Sequence, residues 1–531
     1  MKKSQFTYIF LGMFLLVSCK KDFLDRPSLN APTLDTYYNT ADEVNGATGF
    51  LYNQPWYNFM DKAFNCIGDV MSGNLLTSAG DPNYGNNTYL YMTVQSTDGQ
   101  DLYAWQAFYK VAGNATVLIN TFQQKATQVE DPGYLEQGIA EARFIRAAAY
   151  FYIARVYGDA PIVTDPVSLA GSGDYDVPRY LQKDVLRFAL NDLEAAEAAL
   201  PEQPYQPGRV TKYSAIGMES KIFLYQKQYD SAAMKAKEVI DYANQSGNIG
   251  LYPDYEKMFT SSSANNNKES LFALQWLASG GYSYANAEQA YEGPASLLKP
   301  DFNTGYSSVI PSLDLIKAYQ PGDMRKDWSL MQQGDTYPDW KNVNFPNGFV
   351  YDTMPGGQTD DATHITTGTR TNPLKYIVGT GSNGEPVNSQ GGNDMNTYIL
   401  RYADVLLIYA EAVIGSGNST TDASALAAFN LVHQRAGLPE MTGTLTKDMI
   451  YDERRVEFAF EGDYWFDLQR RGFDEAKKII DSQERGTLNP DGTVNHVQAT
   501  FQSASQLYLP IPSDEILSDP ELAKPAIPYF N

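Results

Sequence analysis

Thr211-Lys-Tyr-Ser-Ala-Ile-Gly-Met-Glu-Ser-Lys-Ile-Phe-Leu-Tyr225, Gln226-Lys-Gln-Tyr-Asp230 and Ser231-Ala-Ala-Met-Lys-Ala-Lys-Glu-Val-Ile-Asp-Tyr-Ala243 read in succession as helix, short turn and helix. A second pairing has the same form: Ile408-Tyr409 closes one helical stretch and an Ala-rich partner follows at 423–435. Leu224-Tyr225 and Ile408-Tyr409 each end a helix near a short turn before an Ala-rich partner, in the style of tetratricopeptide hairpins, although the 34-residue signature is incomplete. Working outward, 136–157 sets Ile145, Ala148, Tyr152 and Val156 on one face at spacings of three and four. Ala147-Ala148-Ala149 lets a neighbouring helix approach closely, and Gly158-Asp159-Ala160-Pro161 ends the run. Further helices are expected at 101–125, at 178–200 with Pro178 in the first turn, and at 399–414 and 447–471. The fold class is mainly α, with stacked helical hairpins sharing one core as a scaffold.

Composition narrows the function. The 531 residues carry 40 basic and 63 acidic side chains, a net charge of −23. Such a field repels phosphate backbones, so no nucleic-acid partner is expected. Two cysteines cannot build a disulfide framework, and three histidines give little material for a histidine-rich metal cluster. No metal or other cofactor is indicated, and a structural Ca²⁺ in a loop is left open. Aromatic residues are plentiful, with 38 Tyr, 25 Phe and 6 Trp.

The N-terminus sets the location. Lys2 and Lys3 precede an apolar stretch from Phe6 to Val17, too short for a membrane span, which takes about 20 residues. Leu16-Val17-Ser18-Cys19 looks like a bacterial lipobox. The expectation is a signal peptide over 1–18, a lipidated Cys19, and a polar tether over 19–39 carrying Pro27 and Pro32. A helical region follows at 40–245. Residues 246–395 are rich in Gly, Asn, Ser, Asp and Tyr, and strand-like pieces such as 270–277 lie between long loops, a composition that usually carries function. Helices return over 396–531, closing on a Pro-rich tail; 40–531 is expected to pack as one unit.

Two stretches suit a pyranose, which offers a flat C–H face and a rim of hydroxyls and so calls for open aromatic planes with amide or carboxylate forks. The first holds Asn74, Asp81, Tyr84, Asn86, Tyr89 and Tyr91. The second holds Tyr282, Tyr284 and Tyr291, with Trp340 further on. Trp105, Trp276 and Trp465 fall in regular elements and are expected in the core.

A family resemblance emerges from blocks in sequence order. Cys19-Lys-Lys-Asp-Phe-Leu-Asp25 with Pro27 resembles the mature start of SusD/RagB-type lipoproteins of Bacteroidota outer membranes. Glu141-Ala-Arg143-Phe-Ile-Arg146, Asp192-Leu193, Gly208-Arg209-Val-Thr-Lys212, Leu400-Arg401-Tyr402-Ala403-Asp404, Arg435-Ala-Gly-Leu438, Glu453-Arg-Arg455 with Glu457, Glu461-Gly462, Phe466-Asp467-Leu468 and Pro510-Ile-Pro512 continue it. Tyr464, His433 and Lys524 depart from the usual Arg, Arg and Asn. The resemblance implies a SusD-like fold and a surface-anchored protein that binds oligosaccharides, or peptides in some branches. It also implies a lid role, delivering cargo to a SusC-like, TonB-dependent barrel without covalent chemistry.

Other chemistries fit less well. Gly379-Thr-Gly381-Ser-Asn-Gly384 has dinucleotide-loop spacing, but Pro386 and the polar run beyond cannot open the required helix. Glu453, Glu457 and Glu461 recur every four residues, an unfavourable row unless arginines such as Arg401, Arg435 and Arg470 reach it from elsewhere. The expectation is an ion-pair network and no enzyme activity. A surface glycosidase, needing only two suitably placed carboxylates, stands as the alternative beside a peptide-binding version of the scaffold.

Overall fold

A computed structural model describes residues 37–77, 87–173, 175–298, 305–352, 368–489 and 491–530. Residues 1–36, with the expected signal peptide, Cys19 and most of the tether, lie outside that set.

The scaffold is built of helices, most of which pack on the one before. In order they are α1 (Ala41–Phe50), α2 (Gly99–Ala126), α3 (Gly133–Tyr157), α4 (Gln182–Ala199), α5 (Lys212–Tyr225), α6 (Tyr229–Ser246), α7 (Glu288–Glu292), α8 (Tyr402–Ile414), α9 (Ala423–Arg435), α10 (Lys447–Glu457) and α11 (Tyr464–Arg471). The series α2–α3–α4–α5–α6–α8–α9 is continuous in packing, so the two hairpins read from sequence stack through α6 against α8. Local chemistry sets the ends. Thr211 caps α5 in a reciprocal box with Ser214, Asp98 caps α2, and Asp422 caps α9. Gly247, at φ +69°, ends α6 in the left-handed conformation. α8 is buried nearly all round, as befits the helix at the centre of the stack.

Three boundaries differ from the periodicity. Pro178 does not open a helix: α4 starts at Gln182, and the preceding chain bridges Tyr180 to Ala160 and Ile527. Residues 397–401 form strand β4 (Thr397–Arg401), antiparallel to β2 (Ser270–Leu274), because Ile399 and Leu400 can be buried on an extended backbone as well as on a helix. The stretch 447–471 breaks at Phe458–Asp463, where Phe460 and Gly462 take positive φ. Strands β1 (Leu75–Thr77) and β3 (Val309–Pro311) form another two-stranded ladder. The glycine-rich 379–384 segment is a loop, as expected, with all three glycines at positive φ.

The charged motif blocks lie where elements cross. Arg146 grips Asp192 with two nitrogens at 2.6 and 2.8 Å, joining α3 to α4. Arg401 reaches Glu269, Glu457 and Glu461, while Arg435 reaches Glu269 and Glu457. Arg325, from the central region, completes Glu457 and Glu453. The acidic row is therefore a buried network. Arg470 turns away from that row to Glu411 and Asp467. At the departures from the family pattern, His433 Nδ1 lies 2.8 Å from Glu453, and Tyr464 offers its ring to Arg455. The cations hold the Glu457 carboxyl well below the usual range, against the opposing effect of burial.

Candidate functional site

Immediately before β1 the chain takes two wide helical turns, Phe59–Ala63 and Cys66–Val70, each closed by a bond five residues long. Single turns of this kind are frequent at functional sites. The first carries Asp61 and Lys62. Asp61 Oδ1 accepts from Tyr57 Oη at 3.0 Å and Tyr282 Oη at 3.1 Å. Lys62 pairs with Asp61, donates to Tyr291 Oη at 2.9 Å, and sits 4.3 Å over the Tyr291 ring. Tyr282 and Tyr291 also join through their hydroxyls, and Tyr57 meets Tyr282 edge to face at 5.5 Å.

Tyr282 and Tyr284 share a tight turn that follows Gly281, which at φ +91° occupies a conformation costly for any other residue. Tyr284 leaves 42% of its surface open. Tyr306 comes alongside because residues 305–308 run against α7, with the Gly305 and Ser308 amides bonding to Ala290 and Tyr291 carbonyls. Its ring stands 6.5 Å from that of Tyr291, inclined by 31°, and is 52% exposed. The result is a face of tyrosines, part open and part seated, around one ion pair. Burial, reinforced by the Asp61 charge, pushes the Tyr282 phenol up to about 12. The Tyr282 phenol is therefore a neutral donor at ordinary pH.

Of the ten sequence candidates, this face unites Tyr282 and Tyr291, and Tyr284 lies beside it, two residues from Tyr282 in the same turn. Asp81, Tyr84 and Asn86 lie outside the described residues. Of the described residues that flank them, Thr77 bonds to Asn87 and pairs in register with Val309. Three candidates are not open surface, which corrects the expectation for them. Asn74 is fully buried, donating to Asp69 and accepting from Arg455. Tyr89 is buried with its hydroxyl on Asp98 at 2.7 Å. Trp340 is 7% exposed, stacked on Tyr337 at 4.2 Å in a small separate core with Phe349 and Leu374. Gly379 lies so close to the Trp340 ring that a Cβ there would come within 2.6 Å. Tyr91 is exposed, but its carbonyl accepts from Thr500 N, alongside the C-terminal tail. Trp105, Trp276 and Trp465 are core, as expected.

Tyr57, Asp61, Lys62 and Tyr306 carry no signal in the sequence reading. The spacing Tyr57-x-x-x-Asp61-Lys62 fits any amphipathic turn, and only the three-dimensional meeting with 282–306 gives it meaning.

The comparisons with known proteins agree in direction. A family model described as "SusD family" matches residues 268–529, and one described as "Starch-binding associating with outer membrane" matches 22–224. The chain belongs to the SusD-like family. Its relatives include a SusD-like protein of Bacteroides ovatus, 27% identical over the whole of this chain and 99% of its own length. A structure solved with xylogluco-oligosaccharide is 27% identical, with a TM-score of 0.79 over 92% of this chain and 99% of that one. A laminarin-binding SusD-like protein shares the fold at 22% identity, with a TM-score of 0.70 over 91% of this chain and 98% of that one. Among the described residues, no helix is long and apolar enough to cross a membrane.

Proposed function

We propose that this SusD-like protein is a cell-surface lipoprotein that binds oligosaccharides and delivers them to a SusC-like, TonB-dependent outer-membrane transporter. The observation that carries the reading is the tyrosine face of Tyr282, Tyr291 and Tyr306, with Tyr284 beside it. Its exposed rings, Tyr306 and the neighbouring Tyr284, are aromatic surface of the kind a sugar's C–H face requires, next to the half-buried Tyr282 and Tyr291. Similarity to a chain solved with xylogluco-oligosaccharide supports a saccharide over a peptide as cargo. The Cys19 anchor and the outer-membrane location rest on the lipobox and on the family description. Family membership supports delivery to a barrel.

Calorimetry of the mature chain against a panel of xyloglucan, laminarin and starch oligosaccharides tests the binding. Saturable binding to at least one, without release of shorter sugars on prolonged incubation, is the expected result. No binding across a broad panel overturns it, and cleavage of a bound glycan moves the protein to the glycosidase reading. Co-purification of a large outer-membrane barrel with the tagged protein tests the delivery role.

A further inference from the structure

We propose that Asp61 and Lys62 preset the tyrosine face and make it a site for uncharged oligosaccharides. The inference rests on the glycan reading and adds the substrate class and the residues that set it.

Asp61 and Lys62 are largely covered, with side chains 18% and 14% exposed. One carboxylate oxygen holds the hydroxyls of Tyr57 and Tyr282, and the ammonium holds that of Tyr291. Rings from two chain segments far apart in sequence are thereby fixed to a single ion pair. Unfastened, each ring would have to be ordered when ligand binds, a cost of about a few-fold to tenfold in affinity for each side chain. Asp61 is thus a positioning residue. It acts through Tyr57 and Tyr282.

The same pair decides the charge. Among the described residues that build this face Lys62 is the sole cation, and Asp61 neutralises it in place. A uronate or sulfate laid on the rings would meet phenol hydroxyls but, among the described residues of the face, no free cation, inside the field of a chain whose net charge is −23. A neutral sugar loses nothing by that arrangement.

The test is calorimetry on the mature chain with a neutral xylogluco-oligosaccharide or laminari-oligosaccharide and with an oligogalacturonide of equal length. Asp61→Ala, Asp61→Asn and Tyr282→Phe are compared with the unaltered protein, and melting temperature is read in parallel. The unaltered protein should bind the neutral sugar at least tenfold more tightly than the oligogalacturonide. Asp61→Ala should lose about tenfold on the neutral sugar. Asp61→Asn keeps an acceptor for both phenols and should stay within about threefold, while its uncovered Lys62 narrows the gap to the oligogalacturonide. Tyr282→Phe, which removes only the hydroxyl, should weaken neutral binding several-fold and serves if Asp61→Ala fails to fold. Equal affinity for neutral and acidic sugars overturns the charge assignment. Unchanged neutral binding in Tyr282→Phe and in folded Asp61→Ala overturns the positioning role. Failure of the unaltered protein to bind any oligosaccharide overturns the glycan reading beneath both.

Discussion

The backbone amide of Gly462 donates to the buried carboxylate of Asp69 at 2.9 Å, tying the turn after α10 to the segment just before β1. Phe460 N and Asn74 Nδ2 bond to the same carboxylate, so Asp69 collects donors from both ends of the chain. The approach is close enough to involve glycine against glycine: a Cβ on Gly68 would fall 2.3 Å from Gly462 Cα, and a Cβ on Gly462 would fall 2.4 Å from the Phe64 ring.

Gly462→Ala should therefore be strongly destabilising. It forces a side chain onto a residue at φ +71° and drives its methyl into Phe64. The strain and the overpacking together predict a loss of about 2–4 kcal/mol in urea unfolding. A loss below about 1 kcal/mol would mean that the two segments are not in this contact.

Arg401 and Lys237 allow a contrast between buried and exposed ion pairs. Arg401 is sealed among Glu269, Glu457 and Glu461, whereas Lys237 pairs with Asp241 on the open face of α6. Arg401→Met removes the cation shared by three buried carboxylates, leaving Arg435, Arg325 and Lys375 to hold them, and should cost about 3–5 kcal/mol. Lys237→Ala should leave stability essentially unchanged, since solvent screens an exposed pair. Denaturant midpoints of the two variants decide the matter, and similar small losses in both would refute a load shared through Arg401.

The helices were legible because their signals are local. Capping at Thr211, the Ala-rich partner at 423–435 and the glycine stop at Gly158 all act within one turn of the residue that shows them. The ion-pair network was legible in kind, since a row of glutamates every fourth residue demands cations from elsewhere, but Arg470 shows that composition does not choose the partners. The site was only partly legible. A Tyr-rich, amide-rich loop marks both an open sugar platform and an internal seam: Tyr284 is open, whereas Tyr89 and Trp340 in equally polar surroundings are closed by Asp98 and by Tyr337. Whether a ring is open depends on segments distant in sequence, and so Tyr306 and Asp61 went unmarked.

Stability should fall as pH rises through the neutral range, by way of Glu292. This glutamate, fully buried at the end of α7, has its carboxyl pushed up to about 8, chiefly by burial, against the opposing bond from Asn65 Nδ2 at 2.6 Å. Glu292 Oε2 and Asn65 Oδ1 lack partners, and a proton held on the acid is the donor that an acid–amide pair requires. Between the ordinary glutamate value of 4.5 and about 8, the folded chain keeps this proton and the unfolded chain releases it, so stability declines with pH across that window and levels off above it. Glu292→Gln keeps the amide-like shape without the proton. Its urea midpoint should gain on that of the unaltered protein steadily from pH 5 to pH 8, and parallel profiles over that range would count against a protonated Glu292.

The open rings should carry binding additively. Tyr306 on the face and Tyr284 beside it, two residues from Tyr282, are the most exposed of these rings and belong to separate chain segments, so neither supports the other's backbone. Replacing either with alanine removes an aromatic plane worth about 0.5–1.5 kcal/mol beyond its area, a loss of roughly 3–10-fold in affinity for an oligosaccharide long enough to span both. Because the two substitutions share no partner, the double variant should show close to the product of the single losses. Tyr103, similarly exposed on α2, serves as the control: Tyr103→Ala should leave affinity unchanged. Calorimetry with oligosaccharides of increasing length gives a sharper reading. A short sugar that covers one ring should respond to one substitution only, whereas a longer one should respond to both. Equal loss from Tyr103→Ala would show that the sugar lies elsewhere on the scaffold.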